Sequence, residues 1–135
     1  MSDRPELCVG AVVVHDGQLL LIERGRGAGV GQWAVPGGRV ETGETMVAAT
    51  ERELFEETGL RGRVARCLGW VERISAEHHF VIVDFLVRLD GPATATAGDD
   101  AAAVAWVPLD QVRHHLGLVD GLVTFLDEHG VLGGR

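Results

Sequence analysis

The chain has 135 residues, enough for one hydrophobic core and too few for two, and its 46% hydrophobic and 24% charged residues are the balance of an ordinary soluble globular protein. A formal net charge of −8 argues against a surface that coats polyanions, so no nucleic-acid partner is expected. All 12 basic residues are arginine, which excludes a Walker lysine and Schiff-base chemistry while leaving planar guanidinium groups suited to small phosphate substrates.

The longest apolar runs are strand-sized, well short of the roughly 18 residues a membrane span needs, and MSDRPEL carries no apolar stretch behind a basic start. A cytoplasmic location with no membrane partner is expected. Cys8 and Cys67 lie in apolar, strand-like contexts and match neither a disulfide framework nor a zinc pattern, so both are expected to be buried, reduced thiols.

In chain order, residues 6–15 are β-rich, Asp16-Gly17 is a strong hairpin signal, and 18–23 reads as the returning strand. Residues 24–31, RGRGAGVG, have glycine at every second position and predict a mobile loop. No helix pattern follows it, so the dinucleotide-fingerprint reading is rejected. Trp33 to Val35 is a short apolar segment running into a sharp turn at Pro36-Gly37-Gly38. Glu44 to Thr58 predicts a helix, with Gly59 at its left-handed end and Leu60 closing against Phe55. Strands are predicted over 61–74, bent near Gly69, and over 79–89. Gly91 to Gly98 reads as a solvent loop, Ala103 to Val107 as a strand stopped by Pro108, and Asp110 to His115 as a helical turn. Asp120 to His129 predicts a closing amphipathic helix with Leu122, Val123 and Leu126 on one side. No repeat or linker divides the chain, and this order indicates an α/β or α+β layered single domain over residues 1–135.

The informative stretch is residues 38–60, GRVETGETMVAATERELFEETGL: a glycine, five residues, a glutamate, seven residues, then Arg-Glu-Leu-Phe-Glu-Glu-Thr-Gly-Leu. At 3.6 residues per turn, Glu53, Glu56 and Glu57 fall within about 100° of arc on one ridge. Val47, Leu54 and Thr58 lie on the adjacent side and are expected to pack on a sheet. Like charges so placed repel, and a divalent cation with a preference for hard oxygen donors reverses that sign. Arg52 is placed to pair with a carboxylate and orient it.

This pattern resembles the signature box of the Nudix (MutT-like) pyrophosphohydrolases, with every defining position matched. The resemblance implies an α/β/α sandwich around a mixed sheet and roughly one to three Mg²⁺ or Mn²⁺ ions. Carried onto this chain, it makes Glu53, Glu56 and Glu57 metal ligands and catalytic carboxylates, adds the backbone carbonyl of Gly37, and gives Glu44 a supporting part. A downstream acid often completes the family's metal site; Asp100, with Asp99 beside it, is the candidate, against the plainer reading of two aspartates ending a polar loop. The family also includes many dimers, so a homodimer is a possible state.

Outside the box, Arg24 and Arg26 flank the glycine loop and are either phosphate clamps or solvated loop arginines. Trp33 and Trp106 are either base-stacking platforms or core residues. The histidine pairs at 78–79 and 114–115 read as structural or solvent-facing.

The resemblance implies cleavage of a small-molecule nucleotide, a nucleoside diphosphate linked to a further group. The stretches QWAVPGGRVETGET, HHFVIVDFLV and AGDDAAAVAWVPLD look like ADP-ribose pyrophosphatase-type members. A proline that many of those carry past the box is absent, Ala76 and Glu77 standing there, and the chain has no tyrosine, a marker of dinucleoside-polyphosphate members. A nucleoside triphosphate pyrophosphatase is the alternative, followed by a noncatalytic domain that senses nucleotide sugars.

Overall fold

Strand β1 (Glu6–His15) is the hub of the fold, and it earns that place by being apolar on both faces. Val9, Ala11 and Val13 face one way and Val12 the other, all at most 1% exposed, as a central strand with cover on both sides requires. The computed structural model describes residues 4–27, 29–98 and 100–133. Among them β1 turns through Asp16 and Gly17, both at positive φ, into β2 (Gln18–Arg24), the two-residue hairpin that Asp-Gly favours.

The sheet is mixed. β1 runs parallel to β6 (His79–Leu89) from Glu6 opposite Phe80 to Val13 opposite Val87, and antiparallel to the short β4 (Gly37–Arg39). β5 (Gly62–Ile74) forms the edge beyond β6, while β2 carries β3 (Trp33–Ala34) and β7 (Ala101–Pro108). Helix α1 (Met46–Thr58) and β5 together make the crossover that a parallel β1–β6 pair needs.

Each face of this sheet carries one helix. On the first, Val9, Ala11, Val13 and Leu20 pack with Ala49 and Leu54 of α1 and with Leu60. On the second, Val12, Leu19 and Leu21 pack with Leu122, Phe125 and Leu126 of α2 (Leu122–Glu128). Full burial of such side chains contributes about 1.5–3 kcal/mol each before entropy is set against it. The α/β/α layering and the single domain follow directly from this two-sided hub.

Several local expectations are corrected. The helix begins at Met46, because Thr45 caps it by accepting from the Ala48 N–H at 3.0 Å, so Glu44 lies outside it. Gly59 takes the left-handed C′ position and donates to the Phe55 carbonyl at 2.8 Å, but the Leu60 N–H bonds Thr58 Oγ1. Leu60 enters the core while Phe55 stays half-exposed beneath the Arg61 guanidinium, so the end is a simple αL cap without the expected Leu60–Phe55 closure. Val47 remains exposed; the buried stripe of α1 is Ala49, Thr50, Leu54, Glu57 and Thr58, which takes in a glutamate.

Gly37 and Gly38 form strand rather than a turn, since Gly37 pairs with Gly10 and Gly38 with Val9. Cys67 is exposed and Cys8 half-buried, because edge strand β5 has solvent on one side. The 91–98 loop is not simply solvated: Thr96 and Gly98 donate to the Thr58 and Glu57 carbonyls at 2.9 and 3.0 Å, filling acceptors that a helix end leaves open. The glycine loop after β2 is closed on itself, with Gly31 donating to the Arg24 carbonyl at 2.8 Å and Arg24 to that of Gln32 at 2.9 Å. Its alternate glycines 27, 29 and 31 all take positive φ, which is what that spacing supplies. No helix among the described residues is long and apolar enough to cross a membrane.

Candidate active site

The glycines of β4 let α1 approach the sheet closely enough to bring its carboxylates to one cleft. A Cβ on Gly37 would stand 2.2 Å from the Val9 carbonyl oxygen, and one on Gly38 would stand 2.4 Å from Glu53 Oε2. Any side chain at either position would push strand from strand or helix from strand. The Gly37 N–H donates to Glu57 Oε1 at 2.9 Å, tying the buried end of α1 to β4.

Arg52 organises the outer side of the same helix. Its Nε and Nη2 grip the two oxygens of Glu44 at 2.6 and 2.9 Å, and its Nη1 reaches Glu53 and Glu56 at 3.0 Å each. Nη2 also donates to the Arg39 carbonyl at 3.1 Å. The guanidinium beside Glu44 holds its carboxyl down to about 2, and Glu44 in turn raises Arg52 further above its ordinary value. This fork-on-carboxylate geometry explains how Glu53 and Glu56 of the helix and Glu44 ahead of it are held together despite their like charges.

The expected ridge is therefore graded in depth. Glu56 is the most open, Glu53 is shielded, and Glu57 is only 4% exposed. Burial pushes Glu57 up to about 7, opposed by the Gly37 N–H and the Arg24 charge and reinforced by Glu53 and Asp100. Glu53 is raised as well, first by burial and against the pull of Arg52.

The cleft has a volume of about 620 Å³, within the range of small-molecule sites. Glu53, Glu57, Gly37, Asp100, Arg24 and Arg26 line it together, so six of the predicted site residues converge. Asp100 arrives just ahead of β7, its carbonyl accepting from Gly25 at 2.6 Å and its carboxylate paired with Arg26 Nε. Glu44, Arg52 and Glu56 are not among the cleft-lining residues, and Arg52 reaches the lining through its bond to Glu53.

Trp33 is corrected. It packs against the α2-side core with its ring edge-on to His115 at 5.1 Å, and it is not among the cleft residues. Trp106 is likewise core, with Nε1 donating to the Ala93 carbonyl at 2.9 Å. Asp99 lies outside the described residues. Sequence reasoning missed Arg39, Arg73, Phe80 and Asp84, which also line the cleft. The one available signal was Asp84, a lone charge inside the apolar run FVIVDFLV.

The donors present suit a hard divalent cation. Glu57 is a buried carboxyl whose one hydrogen bond among the described residues comes from a backbone N–H, and Glu53 stands beside it with its burial only partly offset. No three His, Cys, Asp or Glu side chains among the described residues form a ready-made cage, since Arg52 engages Glu53 and Glu56 and Arg26 engages Asp100. Mg²⁺ needs no such cage, being held by one or two carboxylates together with water and substrate phosphates.

Residues 4–128 match the NUDIX domain. The chain is 36% identical over 99 residues to an ADP-ribose pyrophosphatase of Methanocaldococcus jannaschii, with 72% of this chain aligned to 58% of that protein. It therefore spans little more than half the length of that relative. Among solved structures it is similar to a MutT NUDIX hydrolase from Burkholderia pseudomallei, with a TM-score of 0.82 at 30% identity over 93% of this chain and 98% of that one. It also resembles a bifunctional NMN adenylyltransferase/ADP ribose pyrophosphatase from Francisella tularensis, complexed with AMP and a Mn ion, with a TM-score of 0.76 at 26% identity over 93% of this chain and 42% of that one. A glycine strand that admits a carboxylate helix to the cleft, set in a domain matched over nearly its whole length, places the chain in the NUDIX family.

Proposed function

We propose that the protein is a Mg²⁺- or Mn²⁺-dependent pyrophosphohydrolase that cleaves a nucleoside diphosphate linked to a further group, with ADP-ribose or a close derivative as the favoured substrate. The observation that carries this reading is the buried Glu57 carboxyl, held against the Gly37 N–H in a cleft that is also lined by Glu53, Asp100, Arg24 and Arg26. The similarity to an ADP-ribose pyrophosphatase supports the choice of substrate.

Glu53 and Glu57 would hold the cation, with Glu56, Asp100 and the Gly37 carbonyl as further oxygens. Such an ion neutralises the diphosphate and lowers the pKa of an attacking water. Arg24 and Arg26 would take the outer phosphate oxygens, which planar guanidinium groups match. A carboxylate must accept the water's proton, and Glu56 or Glu57 would do so. Arg52 fixes Glu53 and Glu56 so that their oxygens need little reorganisation. A 38% identity over 75 residues to a nucleoside triphosphatase of Enterobacter favours nucleoside triphosphates as the second reading.

A hydrolysis screen over ADP-ribose, nucleoside triphosphates, dinucleoside polyphosphates and nucleotide sugars, with Mg²⁺ or Mn²⁺, tests this. Release of AMP from ADP-ribose is expected, and absence of turnover on every substrate with either metal rejects the hydrolase reading.

A further inference from the structure

Asp84 is the one buried acid that the proposed chemistry does not use. It lies in the middle of β6 with only 5% of its surface exposed, and it lines the cleft. No described residue donates a hydrogen bond to it; the one group acting on it is Arg73, whose charge offsets a small part of the cost of burial. The glutamates of α1 do not perturb it, and it forms no metal-holding group with them. It therefore sits apart from the cation end.

The neighbouring strand is shaped around this side chain. Gly10 is paired with Asp84 across the parallel ladder, and a Cβ there would stand 2.0 Å from Asp84 Oδ1. The side chain is largely desolvated, which is unfavourable for a carboxyl with no donor beside it, yet its oxygens are not among the sealed polar atoms and so open to the cleft. Room made for such a carboxyl, aimed into a cleft, indicates a partner that arrives with the ligand.

The surroundings restrict that partner. Alternation along β6 puts Phe80 and Ile82 on the face of Asp84, and Val71 lines the same cleft, so the adjacent floor is apolar and partly aromatic. A phosphate would be repelled by the acid. A planar ring bearing an N–H donor fits both the floor and the carboxyl.

We propose that Asp84 is a specificity-determining residue that hydrogen-bonds the exocyclic amino group of a nucleobase, adenine being the representative case, seated on the floor formed by Phe80, Ile82 and Val71. The inference rests on the nucleotide-cleaving reading of the cleft. Buried polar groups that hydrogen-bond a ligand reject analogues lacking the matching group, because they are then left without a partner. The raised pKa of Asp84, about 7, leaves both a carboxylate and a neutral acid accessible near neutrality, and each has an oxygen able to accept from an amino N–H.

The test is calorimetric binding of AMP and purine riboside 5′-monophosphate, which lacks the exocyclic amino group and has no ring N–H in its place, to the wild-type protein and to Asp84→Val in EDTA. Wild-type protein is expected to bind AMP about tenfold or more tightly than the purine analogue, with that preference lost in Asp84→Val. Asp84→Ala serves in place of the valine variant if the latter melts well below wild type. A preference that survives the substitution overturns the proposal, as does equal binding of the two nucleotides by the wild type. Equal weakening of both ligands, the mark of a contact to ribose, overturns it too. Because the readout is binding, it separates the two claims: an AMP preference lost in the variant, without turnover in the hydrolysis screen, removes the hydrolase reading and leaves this one standing. Turnover with an unchanged preference in the variant does the reverse.

Discussion

The outer wall of the cleft and its floor hold carboxyl groups in opposite ways. On the wall, Glu44, Glu53 and Glu56 share the single guanidinium of Arg52, and Glu44 is held at about 2. On the floor, Asp84 has no hydrogen-bond donor among the described residues and is pushed up to about 7. Glu57 stands between, with one backbone N–H and a similarly raised value. The contrast teaches that a paired acid is held in place by the fold, whereas an unpaired one keeps acceptor capacity for a ligand. A fully paired carboxylate is fixed in place, whereas a buried one with spare lone pairs gains free energy when a ligand supplies the missing donor or charge.

Three perturbations break or sharpen this contrast. The largest effect is expected at Glu57→Gln, which keeps the Gly37 hydrogen bond but removes the charge. It should lower kcat by about a hundredfold while leaving Tm at or above the wild-type value at pH 8. A wild-type rate in steady-state assays of that variant would remove Glu57 from the reacting centre.

Arg52→Ala attacks the wall instead. Three carboxylates would lose their common partner, and thermal melts should show a fall of roughly 5 °C. Mg²⁺ is expected to restore part of that loss by neutralising the same carboxylates. A Tm within one or two degrees of wild type would mean that the Arg52 network contributes little, as exposed ion pairs often do.

The smallest effect concerns pH. Asp84 and Glu57 are raised, so the folded protein holds their protons more tightly than the unfolded chain does. Stability from these two groups is greatest below their ordinary carboxyl values and is lost as pH rises from there towards and through about 7. Melts of metal-free protein from pH 5.5 to 8.5 should therefore show a Tm falling by a few degrees, with a shallower slope in Asp84→Val. A flat profile in the wild type would show that the two acids have found donors and that the contrast between wall and floor is false.

The helix and its glycines were legible in advance because their logic is local. Residues 38–60 carry the spacing, Gly59 the stop signal and Asp16-Gly17 the hairpin, and each is set by sterics within a few neighbours. Trp33 was less legible: a short apolar segment does not say which side of the sheet it will face, and here its ring went to the α2 side. Gly91 to Gly98 was similarly opaque, since its backbone partners are the open carbonyls at the end of α1, far away in the chain.

By itself the sequence determined a helix with three glutamates on one ridge, its glycine end and a layered domain of strands and helices, whereas the turn read at Pro36-Gly37-Gly38 became strand at Gly37 and Gly38. Only the tertiary structure decided which carboxyls are deep. Helical periodicity places Glu53, Glu56 and Glu57 on one ridge, but their burial depends on β4 and on the loop that carries Asp100. Asp84 became a candidate only when β6 paired with β1 and set it opposite Gly10. The physical reason is that desolvation, unlike periodicity, depends on which distant segments exclude water from a group.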